Sequence, residues 1–323
     1  MAFEFQFDVQ FDYVGTDISM KPEVTLAIIT HNSAKYIQET INSILESTTY
    51  PNAILFYDNA STDLTTQIIE RNLPSLSIKS INVKLLRNQA NSFASGAMES
   101  CIEIARTEYL AILHGDDLLE SNYFEAALGY LNLHPKVDVL NVSLQEFGDL
   151  NRKNRILQPL WTRYDLLNRI LSAGLNPGLM PGAILKLEKF RGENPYHSLP
   201  LINGVEDTVL WAYASMKKMK IRSLNRPLIL YRRHSEQTSS STQMAFFSGI
   251  ARRFLIDNAP NLFYRFLSRS EIRYEIKVFM EYRNEYFRGL SGQCFEGRFA
   301  SNFRILNILA RRVAKFLNIF KTI

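Results

Sequence analysis

The sequence predicts an α/β fold whose central sheet is mostly parallel and carries helices on both faces. Short runs of β-branched residues alternate with helical patterns over residues 24–143, and this alternation favours a parallel sheet that is covered on both sides. In the helical segments, apolar residues recur at spacings of three and four. With 323 residues, of which 46% are hydrophobic, the chain is long enough for one large α/β domain and an appendage.

The first half of the chain supplies most of the predicted sheet. The predicted strands are Val24–Ile29, Ile54–Tyr57, Ile81–Leu86, Tyr109–Leu113 and Val137–Val142. The helices predicted between them are Ala34–Leu45, Thr62–Leu73, Phe93–Ala105 and Tyr123–Leu133. Because functional residues in parallel sheets gather just beyond the carboxyl ends of the strands, we expect the site there. The segments that follow the first four strands are all polar, namely Thr30-His31-Asn32, Asp58-Asn59, Arg87-Asn88 and His114-Gly115-Asp116-Asp117.

The second half of the chain is less regular. Helices are predicted at Trp161–Leu171 and Glu206–Lys218, strands at Ala183–Leu187 and Pro227–Tyr231, and a Gly/Pro loop at Gly174–Gly182. After the serine-rich segment Ser239–Thr242 the strand signals stop and arginine-rich helical patterns begin. The predicted organisation is an extension at 1–21, a main domain at 22–240 and a basic helical region at 241–323.

The net charge of +5 is concentrated in the C-terminal quarter of the chain. Residues 251–323 carry 14 Lys and Arg against 6 Asp and Glu, so a basic partner surface is expected there and not in the main domain. Leu309, Val313, Phe316 and Phe320 form one face of an amphipathic helix. Such a helix either packs on protein, its own or a second copy, or lies on an anionic membrane surface.

The two cysteines, Cys101 and Cys294, lie far apart and offer no metal-ligand spacing, which favours a reducing cytoplasm. The acidic, aromatic N-terminus has no basic region before an apolar stretch, so we expect no secretory signal. No run approaches the roughly 20 apolar residues that a membrane-spanning helix needs. The expected location is cytoplasmic, with peripheral contact at the inner face of the membrane left open.

The pair Asp116-Asp117 ends an apolar run abruptly. Adjacent carboxylates repel each other, and their position at the end of a buried strand makes sense if a divalent cation lies between them and a phosphate. Asp58 likewise follows a buried strand directly. A structural role is open for its neighbours, because Ser61 or Asn59 could cap the helix that follows.

Four segments together resemble those of glycosyltransferase family 2, whose members have the GT-A fold and act on nucleotide sugars. They follow the family's order and approximate spacing, and are Val24–Asn32, Asp58–Asp63, Asn91–Arg106 and His114–Asp117. The resemblance covers roughly residues 22–240. It implies nucleotide-sugar binding by 22–143 and an acceptor side in 144–240.

The resemblance implies a donor site made of polar residues at the strand ends. The implied donor-binding residues are Thr30, His31, Asn32, Asp58, Asn59, Asn91, His114, Asp117 and Arg233. In this assignment Asp58 accepts a hydrogen bond from the base, typically a uracil N–H, and Asn91 contacts the base or the ribose. Arg233 belongs to the segment Arg232–Ser235, which resembles the family's Tyr-Arg-x-His segment and would neutralise a departing diphosphate.

The resemblance also implies a Mn²⁺ or Mg²⁺ ion. Asp116 is its expected principal ligand, Asp117 is a second ligand or a sugar contact, and His234 lies at the same diphosphate-metal site. The family's motif often begins with Asp where this chain has His114. That departure leaves three roles open for His114, which are binding the ribose, binding the metal and filling space.

The segment Asn203–Trp211 resembles the family's Glu-Asp-x-x-Leu-Trp segment, in which an acidic residue faces the acceptor hydroxyl. The resemblance implies a general base, for which Asp207 is favoured over Glu206. A purely structural reading is also available, since acidic residues in a first turn complement the helix dipole. The implied reaction inverts the anomeric centre and moves a sugar from a nucleoside-diphosphate sugar, with UDP favoured, to a hydroxyl of a glycan or lipid-linked glycan.

Three other classes compete with this prediction. A sugar nucleotidyltransferase shares the sheet and the metal carboxylates but normally has a glycine-rich, basic loop after its first strand, whereas this chain has Thr30–Ser33. A non-catalytic sugar-nucleotide-binding module would keep Asp58 and Asp116 but tolerate loss of Asp207. A nucleic-acid or membrane-binding protein would depend on the basic tail, and we expect no nucleic-acid partner.

Overall fold

The computed structural model describes residues 22–79, 82–148, 156–157, 180–197, 199, 202 and 204–235. The described strands are β1 (Val24–Thr30), β2 (Ala53–Asp58), β3 (Asn82–Arg87), β4 (Tyr109–His114), β5 (Leu118–Leu119), β6 (Val139–Gly148), β7 (Ile156–Leu157), β8 (Ile184–Lys186) and β9 (Ile221–Arg233). The α-helices are α1 (Ile37–Leu45), α2 (Thr65–Ser77), α3 (Phe93–Ile104), α4 (Tyr123–Leu133) and α5 (Glu206–Met216).

These strands form one mixed, mostly parallel sheet with the order β3-β2-β1-β4-β8-β6-β9-β5, and β7 pairs with β6. The pairs β3–β2, β2–β1, β1–β4 and β6–β9 are parallel. The short strand β8 is antiparallel to both β4 and β6, so it joins two parallel blocks that run in the same direction. The carboxyl ends of β1, β2, β3, β4, β6 and β9 therefore meet at one edge of the sheet, which we call the carboxyl edge.

The core has two layers, one on each face of the sheet. On one face α1, α2 and α4 pack against β-sheet residues such as Ile28, Phe56 and Leu113. On the other face α3 and α5 pack against residues such as Ala27 and Ile112. Successive residues along β1, and likewise along β4, thus point into opposite layers, and both strands are buried almost throughout. Strands buried on both faces consist almost entirely of apolar residues, as the sequence predicted. The mostly parallel sheet with helices on both faces confirms the predicted fold class.

The predicted strands and helices are found within a few residues of their expected bounds, with instructive differences. Strand β9 begins at Ile221 and not at Pro227, because it pairs with β6 on both sides of a register shift opposite Pro227. Strand β6 continues to Gly148 and not only to Val142. The two-residue strands β5 and β7 were missed, since their runs are too short for any periodicity. The antiparallel strand β8 was also not foreseen as an interruption of the parallel order.

Several predictions fall outside the described residues. They are the extension at 1–21, the helix Trp161–Leu171, the boundary at Ser239–Thr242 and the basic helical region at 241–323, which all stay predictions. Among the residues that the structure describes, no helix is both long and apolar enough to cross a membrane.

Candidate functional site

Asp58 lies at the end of β2, directly beside Thr30 at the end of β1. Its side chain is fully buried and accepts hydrogen bonds from Thr30 Oγ1 at 3.3 Å, from the Ser61 backbone N–H at 3.2 Å and from the Ser61 hydroxyl. Arg87 Nε, at the end of β3, is 3.6 Å from Asp58 Oδ2. The ends of three adjacent strands are therefore tied together through this one carboxylate.

The loop after β1 is fastened to the loop after β2. Asn32, whose φ of 51° is left-handed, donates its backbone N–H to Ser61 Oγ at 2.9 Å and accepts the Thr62 backbone N–H at 2.8 Å. The prediction that Ser61 or Asn59 caps the following helix is wrong, because α2 has Leu64 at its N-cap position without a side-chain hydrogen bond. The Ser61 hydroxyl bridges Asp58 and Asn32 instead.

Asn59 joins these loops to the start of α3. Its amide nitrogen donates to Asn91 Oδ1 and to the Phe93 carbonyl, at 3.1 and 3.0 Å. Its amide oxygen accepts the backbone N–H and the hydroxyl of Ser92. Asn59 is 3% exposed, and these contacts employ both ends of its amide within the protein. Its described role is to position the loop that carries Asn91, while a direct donor contact stays a prediction.

His31 is exposed and lies between Asn59 and Asn91. Its Nδ1 is 2.9 Å from the Asn59 carbonyl, and its Nε2 is 3.2 Å from Asn91 Nδ2. A carbonyl only accepts, so these contacts fit the neutral tautomer with the proton on Nδ1. Next to this group, a pocket of about 560 Å³ lies between the loops after β2 and β3, lined by residues 60–62 and 87–91.

The end of β4 holds a possible cation site. One ligand atom from each of His114, Asp116 and Asp117 lies within 4.8 Å of the others. Asp117 Oδ2 is buried and has no hydrogen-bond partner among the described residues, although His114 Nδ1 is 3.8 Å away. Two carboxylates and an imidazole are a donor set that suits Mn²⁺ and tolerates Mg²⁺.

The two carboxylates of this pair differ in their electrostatics. Burial opposes ionisation of Asp116, but the hydrogen bond with His234 Nε2, at 3.0 Å, and the neighbouring imidazoles outweigh it and lower the pKa of Asp116. Burial and the charge of Asp116 raise the pKa of Asp117 well above its usual range. Burial also lowers the pKa of His114. Asp116 is thus the residue held ionised without a cation.

Gly115 is required by the packing of this loop against the loop after β1. A Cβ atom at position 115 would lie 2.7 Å from Thr30 Cγ2 and 3.0 Å from Ser33 Oγ. The Gly115 carbonyl also accepts a hydrogen bond from Thr40 Oγ1 in α1 at 3.1 Å. Because residue 115 has no side chain beyond hydrogen, the loop after β4 can lie directly against the loop after β1.

Glu206 and Asp207 open α5 at the same edge. Ile202, just before this helix, exchanges hydrogen bonds with the backbone and hydroxyl of Ser95 in the first turn of α3, which begins at the carboxyl edge. Glu206 is 6% exposed, and burial together with the charge of Asp207 raises its pKa to about 8. The Asp207 carboxylate accepts the Thr208 backbone N–H at 2.7 Å. Glu206 is therefore protonated at neutral pH.

The two arginines at the end of β9 have different surroundings. Arg233 Nε is 3.6 Å from Glu146, and the guanidinium lies over the Tyr231 ring. Arg232, which the sequence prediction left out of the site, donates its backbone N–H to Asp117 Oδ1 at 2.9 Å and its Nε to the Asp116 carbonyl at 2.8 Å. The sequence signal was the Tyr-Arg-x-His pattern, whose arginine is Arg232.

A second group of possible metal ligands lies away from the strand ends. Glu99 and Glu103 are one turn apart on α3, and His197 Nδ1 is 3.0 Å from Glu99. The His197 side chain is 81% exposed. This group has none of the predicted site residues.

Residues 25–186 match the profile of the family described as Glycosyl transferase family 2. Among curated relatives, the glycosyltransferase EpsE of Bacillus subtilis is 26% identical over 199 residues, which are 59% of this chain and 66% of that protein. The poly(ribitol-phosphate) beta-N-acetylglucosaminyltransferase TarS of Staphylococcus aureus is 23% identical over 224 residues, 67% of this chain. The chain spans 66% of EpsE and 37% of TarS.

Solved structures show the same fold. The structure of S. aureus TarS 1-349 in complex with UDP-GlcNAc has a TM-score of 0.58 and 19% identity, covering 84% of this chain and 80% of that one. The Pyrobaculum calidifontis mannosyltransferase PcManGT, in complex with GDP-Man and Mn²⁺, has a TM-score of 0.50 and 16% identity, covering 96% and 86%. At these identities the likeness shows the fold, which is the GT-A fold predicted from the sequence.

Proposed function

Since the chain belongs to glycosyl transferase family 2, we propose that it moves a sugar from a UDP-sugar to a hydroxyl group of a glycan or lipid-linked glycan. The observation that carries the proposal is the common position of the acidic groups. The His114, Asp116 and Asp117 cluster and the buried Asp58 lie at the carboxyl edge of one sheet, and hydrogen bonds between Ile202 and Ser95 hold the segment before Glu206 against the start of α3.

The donor nucleoside is proposed to enter the 560 Å³ pocket beside Asp58, whose volume is typical of ligand sites. Asn91 lines this pocket, and Thr30, His31 and Asn32 form the adjoining loop. The Arg87 side chain is 60% exposed beside Asp58, so it offers a cation at the pocket mouth. TarS bound to UDP-GlcNAc and PcManGT bound to GDP-Man support a nucleoside-diphosphate sugar as the donor class.

The residues at the end of β4 fit a divalent cation. Asp116 is ionised, and the buried Asp117 Oδ2 lacks a hydrogen-bond partner among the described residues, as expected of an atom meant for a ligand. Asp116 and Asp117 would hold Mn²⁺ or Mg²⁺, with His114 completing the set and His234 orienting Asp116 or joining the set. When bound, the cation offsets the negative charge that builds up on the leaving diphosphate. The Mn²⁺ in PcManGT supports this assignment.

Asp207 is proposed to take the proton from the acceptor hydroxyl as that oxygen attacks the anomeric carbon. A sugar hydroxyl is a weak nucleophile, and proton removal in the transition state lowers the barrier. Attack from the face opposite the diphosphate inverts the anomeric configuration. Glu206, whose raised pKa of about 8 keeps it mostly protonated at neutral pH, is unsuited to the base role, which leaves Asp207 as the candidate.

A thermal-shift panel tests the donor and the cation together. The full chain is heated with UDP-GlcNAc, UDP-glucose and GDP-mannose, each with Mn²⁺ or with EDTA, because a ligand of the native state raises the melting temperature. A UDP-sugar should stabilise the protein only with Mn²⁺, and Asp116→Ala should remove the effect. Equal stabilisation with EDTA or in Asp116→Ala would refute the metal assignment.

The same panel separates the enzyme from a non-catalytic binding module. Incubation of the stabilising donor with a glycan or lipid-linked acceptor should release UDP, measured by a coupled assay. Donor binding without any acceptor-dependent release of UDP would favour the binding module. Formation of UTP and sugar 1-phosphate from the UDP-sugar and added pyrophosphate would instead favour a nucleotidyltransferase.

A further inference from the structure

Arg232 donates two hydrogen bonds to the loop that carries Asp116 and Asp117. We infer that Arg232 is a positioning residue that sets the geometry of the two carboxylates from the neighbouring strand, and so determines how tightly the site binds a divalent cation. The inference rests on the proposed function, since it concerns the same cation site. It assigns a role to a residue that belongs to the Tyr-Arg-x-His pattern but was not among the predicted site residues.

Arg232 forms hydrogen bonds with both acidic residues of the loop. The Arg232 backbone N–H donates to Asp117 Oδ1 at 2.9 Å, and its Nε donates to the Asp116 carbonyl at 2.8 Å. One residue thus holds the side chain of the second carboxylate and the backbone of the first. Because Oδ1 of Asp117 is engaged, Oδ2 is the oxygen left facing His114.

The guanidinium group of Arg232 is itself held in place by two aromatic rings and an ion pair. It lies 4.5 Å from the ring centre of Phe147 and 4.8 Å from that of Tyr36, and it forms an ion pair with Glu39 at 2.8 Å. Arg232 is 8% exposed, so these contacts hold it in a restricted environment. Arginine suits this position because its planar head stacks on rings and donates in several fixed directions.

The contacts of Arg232 link three elements around the loop that carries Asp116 and Asp117. Phe147 lies opposite Arg232 in the β6–β9 register, while Tyr36 and Glu39 belong to the start of α1. The Tyr36 ring also lies 4.7 Å from the ring of His234, the residue bonded to Asp116. The positions of Asp116 and Asp117 therefore depend on β9, β6 and α1 together. Residues that orient metal ligands typically contribute about 10- to 100-fold to metal affinity.

Mn²⁺ binding without any sugar donor tests the inference. Free Mn²⁺ is counted by electron paramagnetic resonance as it is titrated into the full-length protein and into Arg232→Lys. Lysine keeps the charge but cannot make the Nε bond to the Asp116 carbonyl together with the Glu39 pair, so we expect about 10-fold weaker binding and an altered spectrum of the bound ion. Arg232→Ala should weaken binding further.

Arg222→Ala is the matched control, since it removes an exposed arginine from the opposite end of the same strand. It should bind Mn²⁺ as the original protein does. Melting temperatures show which variants are folded, and if Arg232→Ala does not fold, Arg232→Lys decides the matter. A folded Arg232→Lys with unchanged Mn²⁺ affinity and spectrum would overturn the inference. Failure of the original protein to bind Mn²⁺ at this site would instead refute the cation part of the proposed function.

Discussion

The chain contains two pairs of adjacent acidic residues at the carboxyl edge, Asp116-Asp117 and Glu206-Asp207, and they are built differently. In both pairs one member is buried and has a raised pKa, namely Asp117 and Glu206. The first pair follows a strand and is contacted by an arginine and a histidine. The second opens a helix, and its Glu206 Oε2 has no hydrogen-bond partner among the described residues.

This difference teaches how one chemical motif can serve two purposes. The hydrogen bond with His234 and the neighbouring imidazoles lower the pKa of Asp116, and the strand end fixes both carboxylates, which suits a bound metal ion. A buried, neutral Glu206 beside the partly exposed Asp207 leaves one carboxylate to accept a proton. Under the proposed function, the first pair would hold a cation and the second would accept the proton of the acceptor hydroxyl.

The largest expected effect follows from changing the second pair. Asp207→Asn removes the proposed base while preserving shape, so kcat should fall by about 10²- to 10⁴-fold, with UDP-sugar affinity nearly unchanged. Steady-state kinetics and a donor titration measure the two quantities. A fully active Asp207→Asn enzyme would show that the two pairs do not differ in the proposed way.

The first pair should respond through metal binding. His234→Ala removes the hydrogen bond to Asp116 and should weaken Mn²⁺ binding by about 10- to 100-fold. The required concentration of Mn²⁺ in the transfer assay should rise accordingly, and saturating Mn²⁺ should recover part of the rate. Unchanged Mn²⁺ dependence would mean that His234 does not support Asp116.

A substitution of Gly115 tests how closely the loop that carries Asp116 and Asp117 packs against Thr30. Gly115→Ala places a methyl group 2.7 Å from Thr30 Cγ2, and overpacking of this kind should lower the free energy of unfolding by about 1–3 kcal/mol. Gly129→Ala is the control, because a Cβ there meets nothing within 4 Å in the exposed part of α4 and should stabilise the helix slightly. Denaturant unfolding gives both values, and equal behaviour of the two variants would contradict the close approach.

The last prediction concerns the pH dependence of stability. Glu206 has a pKa of about 8 in the folded protein against an ordinary value of 4.5, so the folded state retains a proton that the unfolded state loses. The free energy of unfolding should therefore decline as pH rises from about 4.5 to about 8 and then level off. Glu206→Gln should reduce this decline. An identical pH profile in both proteins would show that Glu206 is not buried as described.

Much of the fold could be predicted from the sequence because its determinants are local. Buried parallel strands require apolar runs, and the polar residues after Thr30, Asp58 and His114 mark the strand ends. The strand β8 was predicted, as Ala183–Leu187, but its antiparallel pairing was not, since a three-residue strand carries no information about its partners. The start of β9 was misplaced because proline is rare inside a strand, so the strand was expected to begin at Pro227. In the structure Pro227 lies inside β9, opposite a register shift.

The site was predictable in its acidic residues and less so in their supports. The Tyr-Arg-x-His pattern marks Arg232, but the contacts that Arg232 makes follow only from the β6–β9 register and the position of α1. Likewise Asn59 resembles a ligand-binding residue until its contacts with Asn91 and Ser92 are known. Such roles depend on contacts between residues far apart in the chain, which no local pattern contains.

The most direct test of the central claim is the position of a bound metal ion. A crystal grown with UDP and Mn²⁺ should show an anomalous scattering peak bonded to the carboxylates of Asp116 and Asp117, next to density for a diphosphate. A peak only at Glu99, Glu103 and His197, or diphosphate density without a metal peak at the end of β4, would contradict the claim.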